Sequence, residues 1–509
     1  MLVKVVFLII FFTIMILVGL YARRHTTSVG DFVLGGRAVG PWLTAFAYGT
    51  TYFSAVVFVG YAGQFGWKYG ISATWIGIGN AFIGSLLAWV VLGRRTRVMT
   101  HHLKSTTMPD FFGSRYDSKA IRIVASVIAF IFLVPYTASV YNGLSRLFGM
   151  AFDVPYWICV LAMAILTGVY VILGGYMATA INDFIQGIIM LGGIIAVVAA
   201  VLGNNGGFLE AIQRMAQFES EIPATAGMQG AYVSFFGPDP INLLGVVILT
   251  SLGTWGLPQM VHKFYTIKNE KSIKSGTIIS TVFAVIISGG CYFLGGFGRL
   301  YDNEAIYKAD GSVAFDAIVP HILSSLPNVL IGIVIVLVLS ASMSTLASLV
   351  MTSSSTITLD FIKGNLVKNM SEKKQILTMR ILIVGFITLS VVIALDPPTF
   401  IAQLMGISWG ALAGSFLAPF LYGLYWKRVT KAAVWASFAT GVGITVSNLF
   451  LKYIASPINA GALAMVTGLI IVPLVSVMTP KMEQGKVGEV FSCYEETVTV
   501  HTKKSIEEA

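Results

Sequence analysis

Long apolar runs recur along almost the whole chain, and they constrain its fold more strongly than any other feature. Each is close to the ~20 residues that cross about 30 Å of hydrocarbon as an α-helix. The composition agrees, because 56% of the 509 residues are hydrophobic and only 11% are charged, too few charges for a set of soluble domains. The sequence therefore predicts an all-α polytopic membrane protein with about 13 transmembrane helices. We number these runs span 1 to span 13, and they fall near residues 3–20, 41–64, 72–92, 121–145, 154–175, 184–202, 241–261, 276–298, 326–352, 379–395, 401–425, 432–451 and 460–478.

The basic residues are divided unevenly between the two sides of the membrane. An odd number of spans places the two termini on opposite sides. With the N-terminus outside, 26 of the 33 Lys and Arg residues fall in cytoplasmic segments and 7 in external ones, as the positive-inside rule requires. Topology therefore explains the net charge of +10, and no nucleic-acid partner is expected. We predict a multi-pass protein of a bacterial plasma membrane with a cytoplasmic C-terminus.

The polar segments between the spans are too short to hold a soluble catalytic or sensor domain. The longest external segment carries turn signals at 204–207 and 237–240, which are typical of a loop. Function is therefore expected among the helices. The predicted organisation is an N-terminal helix with a cytoplasmic loop (1–40), a first five-helix repeat (41–202), an external loop (203–240), a second five-helix repeat (241–425), two peripheral C-terminal helices (426–479) and a cytoplasmic tail (480–509).

Two spans carry polar or helix-breaking residues near their centres. Span 2 contains the polar run 47–54, and span 7 contains glycines and a proline within 250–259. Glycine and proline interrupt the hydrogen-bond ladder of a helix. Because the two spans are five apart, spans 2 to 6 and 7 to 11 can form two inverted five-helix repeats that each open with a broken helix. The pattern predicts a binding site at the two breaks.

Span 9 carries hydroxyl groups that could complete an ion site. A broken helix leaves carbonyl groups without partners, which is tolerable at membrane depth only where they face protein, water or an ion. Sodium, like other hard cations, prefers such oxygen ligands. Ala341, Ser344 and Thr345 stand at i, i+3 and i+4, so one helix face can present a carbonyl and two hydroxyls. The alternative is that these small residues only allow close packing between helices.

Asp183 is one of the few carboxylates near an apolar run. An acid inside the membrane is a functional candidate by default. An Asp at the cytoplasmic interface can instead cap a helix N-terminus without any role in transport. Both interpretations stay open at this point, and a proton-relay role would require burial of the carboxylate.

Activities other than transport find no support in the residue pattern. An enzyme would need a nucleophile with its base and acid, a metal motif or a nucleotide loop, and none is visible. A channel would need a filter sequence, which is also missing. We therefore expect neither enzymatic activity nor a covalent cofactor. The alternatives to a sodium-coupled carrier are a proton-coupled or uncoupled carrier, or a transporter-like solute sensor.

Several short motifs occur together along the chain. They are Leu34-Gly35-Gly36-Arg37, Gly174-Gly175 with Asn182-Asp183 and Gln186, Met343-Ser344-Thr345 with Ser353-Ser354-Ser355, and Gly414-Ser415-Phe416-Leu417-Ala418-Pro419 with Trp426-Lys427-Arg428. Together they resemble the sodium/solute symporter family, which includes proline, pantothenate, acetate and sugar carriers, and the resemblance covers spans 2 to 12. It implies a LeuT-like fold with two inverted five-helix repeats and alternating access.

The same resemblance implies a sodium site between spans 2 and 9. Its ligands would be the carbonyls of Thr50, Phe53 and Ala341 and the hydroxyls of Ser344 and Thr345. Some members of the family hold a second sodium ion at positions that match Asp183, Ser344 and Ser348. That second site is doubtful here, because Ala347 stands where those members have a hydroxyl.

The solute is less well defined than the ion. Tyr52, Thr250 and Thr254 replace residues typical of the proline carriers, whereas the stretch 252–258 looks more like the acetate and monocarboxylate carriers. We expect no buried Lys or Arg at mid-depth, so an anion would need helix N-termini and hydroxyls. The alternative is that the aromatic candidates only pack against neighbours or anchor at the interface. The candidate solute contacts are Thr51, Tyr52, Ser54, Thr254, Trp255 and Gln259.

The function predicted from these features is secondary active transport. Inward flux of Na⁺, the coupling ion, would drive uptake of a small organic solute of the monocarboxylate or amino acid class by alternating access. The partners expected are therefore the solute, the sodium ion and the lipid bilayer, with the protein acting as a monomer.

Overall fold

The computed structural model describes residues 2–23, 28–152, 154–367 and 369–495. Helical segments occupy every predicted span. By length and apolar composition, 10 helices of the described residues can cross a membrane, or 11 if the bent pair Pro240–Trp255 and Pro258–Thr266 is one span. The all-α membrane architecture is therefore confirmed, and the number of 13 crossings stays a prediction.

The helices overlap the predicted spans, and several extend up to seven residues beyond the predicted ends. The long ones are Leu2–Arg23, Lys119–Phe152, Tyr156–Asn204, Glu270–Gly295, Asn328–Thr356, Glu372–Leu395, Ile401–Tyr425, Lys431–Leu451 and Pro457–Met478. Spans 2, 3 and 7 are divided into Pro41–Tyr52, Val56–Tyr61, Ala62–Tyr69, Gly70–Ala73, Thr74–Gly79, Asn80–Leu87, Trp89–Gly93, Arg94–His102, Pro240–Leu252, Gly253–Trp255 and Pro258–Thr266. The shorter connecting helices are Val29–Leu34, Gly35–Arg37, Met108–Arg115, Phe208–Met215, Pro223–Thr225, Ala231–Val233, Gly298–Tyr301, Glu304–Ile306, Phe315–Ser324, Ile357–Leu366 and Gln484–Ser492.

Span 2 is interrupted at its centre, as predicted. Its first helix ends at Tyr52, and Phe53 leaves the helical region with φ −107° and ψ 95°. Ser54 then starts the second half, because its side-chain oxygen accepts a hydrogen bond from the Val56 amide at 3.2 Å, in the manner of an N-cap. The break therefore exposes carbonyls at the end of the first half to groups outside the helix.

Span 7 is interrupted by a different local mechanism. A short 3₁₀ turn ends at Trp255, and Leu257 is extended with φ −86° and ψ 121°. The residue before a proline disfavours the helical region, and Pro258 cannot donate a backbone hydrogen bond. The two halves consequently meet at an angle of 40°.

A third break separates spans 5 and 6. Gly175 has φ 58° and ψ −164° inside the segment Tyr156–Asn204, a conformation that only glycine adopts readily. A Cβ at this position would also press against Phe32. The break redirects the chain so that Asp183 lies on the helix that follows it.

Spans 9 and 11 lie at the centre of the protein, and span 1 lies at its periphery. The most apolar window of span 9 is 83% buried and that of span 11 is 94% buried, against 22% for span 1. Span 2 packs against span 8 through two glycines, since a Cβ on either Gly66 or Gly295 would overlap backbone atoms of the facing helix. Small residues allow this close approach of membrane helices.

Candidate ion and solute site

The break in span 2 lies directly against the hydroxyl groups of span 9. Ser344 Oγ lies 2.9 Å from the Thr50 carbonyl oxygen. Thr345 Oγ1 lies 3.2 Å from the same oxygen and 3.1 Å from the Thr51 carbonyl oxygen. All four residues are buried. Two elements almost 300 residues apart in sequence are therefore joined by hydrogen bonds between oxygen atoms.

Span 9 contributes a further carbonyl to this cluster. The Ala341 oxygen lies 3.3 Å from Ser344 Oγ and 3.1 Å from Thr345 Oγ1, which is the ordinary back-bonding of hydroxyls within a helix. Each hydroxyl carries one hydrogen, so two hydroxyls cannot serve three carbonyls at every one of these contacts. The cluster has an excess of acceptor oxygens, and such a donor set suits a cation.

Phe53 is the remaining residue of the predicted sodium set. It follows the last residue of the first helix of span 2, and its ring stacks on Tyr52 with a centroid separation of 4.3 Å. In the described part of the chain it makes no hydrogen bond to Ser344 or Thr345. Its role as a ligand stays a prediction.

Asp183 is fully buried, so it does not act as an exposed cap at the interface. Neither carboxylate oxygen has a hydrogen-bond partner among the described residues. Its ion-pair partner is Lys263, whose Nζ lies 3.9 Å from Oδ2. A buried charge of this kind is costly unless it is paired.

The structure buries Lys263, which lies just after predicted span 7 in a stretch that the charge pattern assigns to a cytoplasmic segment. Its side chain is 2% exposed. Nζ donates to Ser348 Oγ at 3.0 Å, and Ser348 Oγ lies 2.9 Å from Thr51 Oγ1. The sequence contains a local indication of this position. Lys263 is one turn after the candidate residue Gln259 on the helix Pro258–Thr266, so the two side chains share a helix face.

Most of the candidate solute contacts have polar atoms that are already hydrogen-bonded within the protein. The Tyr52 hydroxyl donates to the Thr250 carbonyl. Thr254 Oγ1 donates to the Gly84 carbonyl at 3.1 Å, and Trp255 Nε1 donates to the Ile83 carbonyl at 3.0 Å. The hydrogen bonds of Thr254 and Trp255 therefore connect the break of span 7 to span 3.

Gln259 differs from the other candidates. It is 1% exposed, and neither its side-chain nitrogen nor its oxygen has a partner among the described residues. It lines a narrow cavity with Tyr176, Lys263, Ser348 and Ser355, whose free volume of about 10 Å³ admits roughly one water molecule. Unpaired polar atoms of this kind are available to a ligand.

Two aromatic residues beside the break were missed by the sequence analysis. Trp409 of span 11 lies 6.2 Å from the Tyr52 ring, and Tyr136 of span 4 meets Trp409 edge-on at 5.9 Å. The indole nitrogen of Trp409 has no partner among the described residues. Single aromatic residues in apolar spans carry no local signal, so only the packing of the helices identifies this group.

The profile of the sodium:solute symporter family matches residues 32–441. The chain belongs to this family. It is therefore a multi-pass membrane transporter, not an enzyme, and sodium is the coupling ion that the family implies. Sodium/proline symporters of Staphylococcus aureus strains JH9 and Mu3 are each 27% identical to it over 455 residues, covering 86% of this chain and 84% of theirs.

Solved transporters share its architecture. A Na⁺-coupled sialic acid symporter in a substrate-bound outward-open state superposes with a TM-score of 0.76 at 18% identity, covering 94% of this chain and 98% of the other. Mhp1, a nucleobase-cation-symport-1 family transporter in a closed conformation, gives 0.54 at 11% identity, covering 90% and 97%. At these identities the likeness concerns the fold alone, and the predicted LeuT-like fold is confirmed.

Proposed function

We propose that this protein imports a small organic solute of the monocarboxylate or amino acid class, driven by sodium bound between spans 2 and 9. The observation that carries the proposal is the cluster in which the hydroxyls of Ser344 and Thr345 face the carbonyls of Thr50, Thr51 and Ala341. A shell of neutral oxygens binds a monovalent cation weakly enough to release it, as transport requires. The carbonyl of Phe53 is proposed to complete the shell.

The ion gradient supplies the free energy for accumulation. A membrane potential of about 100 mV contributes roughly 2.3 kcal/mol for each net positive charge moved inward. At about 1.4 kcal/mol per tenfold ratio, one net positive charge moved with each solute molecule supports a solute gradient of roughly fiftyfold before any sodium gradient is added. In this proposal the site opens alternately to the two sides of the membrane between the repeats 41–202 and 241–425, and the N-terminus is outside.

The proposed solute class rests on two arguments. The relatives named sodium/proline symporters are 27% identical to this chain, which favours an amino acid, whereas the stretch 252–258 favours a monocarboxylate. Both classes carry a carboxylate. The helix that begins at Pro258 directs its positive N-terminal end toward the break of span 7, and such an end attracts anionic groups.

Gln259 is proposed to contact the solute directly, because its amide is buried without a partner. Thr51, Tyr52, Ser54, Thr254 and Trp255 are proposed to shape the surrounding pocket. We expect Gln259→Leu to raise the half-saturating solute concentration about tenfold, which corresponds to the loss of one hydrogen bond of about 1.4 kcal/mol. The measurement is concentration-dependent uptake, and the sodium affinity of the same variant serves as the control. An unchanged solute affinity would show that Gln259 does not contact the solute.

Reconstituted uptake tests the proposed function. Purified protein in proteoliposomes is supplied with labelled acetate or labelled proline under an inward sodium gradient, an equal potassium gradient or a proton gradient. We expect accumulation of at least one of the two solutes with sodium only. Equal accumulation under the proton gradient would refute the sodium coupling. Binding without accumulation under any gradient would favour a sensor.

A further inference from the structure

The ammonium group of Lys263 lies inside the protein close to the candidate sodium site. Nζ is 3.0 Å from Ser348 Oγ and 3.9 Å from the Asp183 carboxylate, and both side chains of the ion pair are almost completely buried. Through Ser348 the ammonium group reaches Thr51, whose carbonyl faces Thr345. A short chain of contacts therefore joins this charge to the oxygen cluster at the break of span 2.

Asp183 and Lys263 depend on each other for compensation of their charges. The carboxylate oxygens of Asp183 have no hydrogen-bond partner among the described residues, and Lys263 is the charged group that faces them. Removing one partner of a buried pair leaves an uncompensated charge, which is strongly unfavourable. The pair is therefore expected to persist while both side chains are buried.

The groups around this ammonium are those that the family resemblance implies for a second sodium ion. Asp183 and Ser348 both contact or approach Nζ, whereas Ala347 contributes no hydroxyl. A sodium ion between Asp183 and Ser348 would lie at contact distance from a like charge, and this repulsion is strong away from water. A second sodium ion therefore does not fit here while Lys263 holds its position.

We propose that Lys263 is a tethered cation that fills the second cation position, so that the protein binds a single sodium ion in each cycle. The inference rests on the proposed sodium site at Thr50, Ser344 and Thr345. Lys263 acts as a positioning residue, because its ammonium group holds Asp183 and Ser348 in place beside that site. Its charge stays with the protein and is not transported. Uptake of a zwitterionic amino acid consequently moves one net positive charge, and uptake of a monocarboxylate moves none.

Equilibrium binding of ²²Na⁺ to the purified full-length protein at pH 8 tests this inference without knowledge of the solute. We expect the wild-type protein to bind one ion per chain at saturation. Lys263→Met keeps the unbranched stem of the side chain and removes the ammonium group with its charge, so the free carboxylate should recruit a second ion. Lys263→Arg keeps the charge and should bind one. The double variant Asp183→Asn/Lys263→Met lacks both charges and should also return to one.

The possible results separate a failure of this inference from a failure of the proposed sodium site on which it rests. Two ions bound to the wild-type protein, or one ion bound to folded Lys263→Met, would overturn the tethered cation. No ion bound to the wild-type protein would overturn the sodium site itself. If Lys263→Met fails to fold, Thr345→Val tests the claim with Lys263 intact. Its binding curve should show one class of site per chain, weakened roughly 10- to 100-fold, and a further ion bound with a different affinity would reveal a second site.

Discussion

Replacement of Thr345 by valine is expected to weaken sodium binding by roughly 10- to 100-fold without reducing the amount of folded protein. Valine keeps the shape of threonine and removes the hydroxyl that faces three carbonyls, those of Thr50, Thr51 and Ala341. Loss of a polar contact in a buried site costs about 1–3 kcal/mol, and 1.4 kcal/mol corresponds to a factor of ten. Ser344→Ala should act in the same direction, because its hydroxyl faces two of these carbonyls. The measurement is the sodium dependence of binding and uptake.

Ser342→Ala is the matched control for this prediction. Ser342 is equally buried on the same helix, but its hydroxyl donates to the Val338 carbonyl of its own helix at 2.7 Å. Its removal should leave the sodium affinity within about twofold of the wild type, because this hydroxyl bonds within its own helix and not to the carbonyls of span 2. Normal sodium dependence in both Thr345→Val and Ser344→Ala would show that the ion binds elsewhere.

Replacement of Gly295 by alanine should abolish most of the folded protein. The added Cβ would overlap the carbonyl oxygen of Ala62, and a Cβ on Gly66 would overlap the carbonyl of Gly295 in turn. Backbone atoms on both sides leave no flexible side chain to move, so spans 2 and 8 would have to separate. Overpacking of this kind costs about 3 kcal/mol or more. The yield of monodisperse protein in detergent and its thermal midpoint measure the effect.

Gly289→Ala provides the comparison on the same helix. Nothing lies within 4 Å of a Cβ built at Gly289, and alanine favours a helix over glycine by about 1 kcal/mol. This variant should therefore be as stable as the wild type or slightly more stable. Equal yields of Gly295→Ala and Gly289→Ala would contradict the close crossing of the two helices.

The helices and their breaks could be predicted because their causes are local. Apolar runs of sufficient length specify membrane helices wherever they occur in a chain. Pro258 and the glycines before it interrupt span 7 through covalent geometry, which does not depend on the rest of the fold. The position of three oxygen-bearing residues on one face of span 9 follows in the same way from 3.6 residues per turn.

The partners across the site could not be predicted from local pattern alone. Whether Asp183 is an interfacial cap or a buried acid depends on the break at Gly175 and on the helices packed around it. Lys263 belongs to a basic stretch whose composition predicts a cytoplasmic segment, yet the helix Pro258–Thr266 places its side chain in the protein interior. Trp409 and Tyr136 likewise have no distinguishing sequence pattern. The packing of spans 2, 4 and 11 places them near Tyr52.

The amino-acid sequence by itself determined the helical class, the sites of interruption and the oxygen-rich face of span 9, since each depends on residues within a few turns of one another. Only the tertiary structure decided which charges face that site. The energy of a buried charge depends on neighbours that are distant in sequence, and the pairing of Lys263 with Asp183 arises only when spans 6, 7 and 9 are packed together.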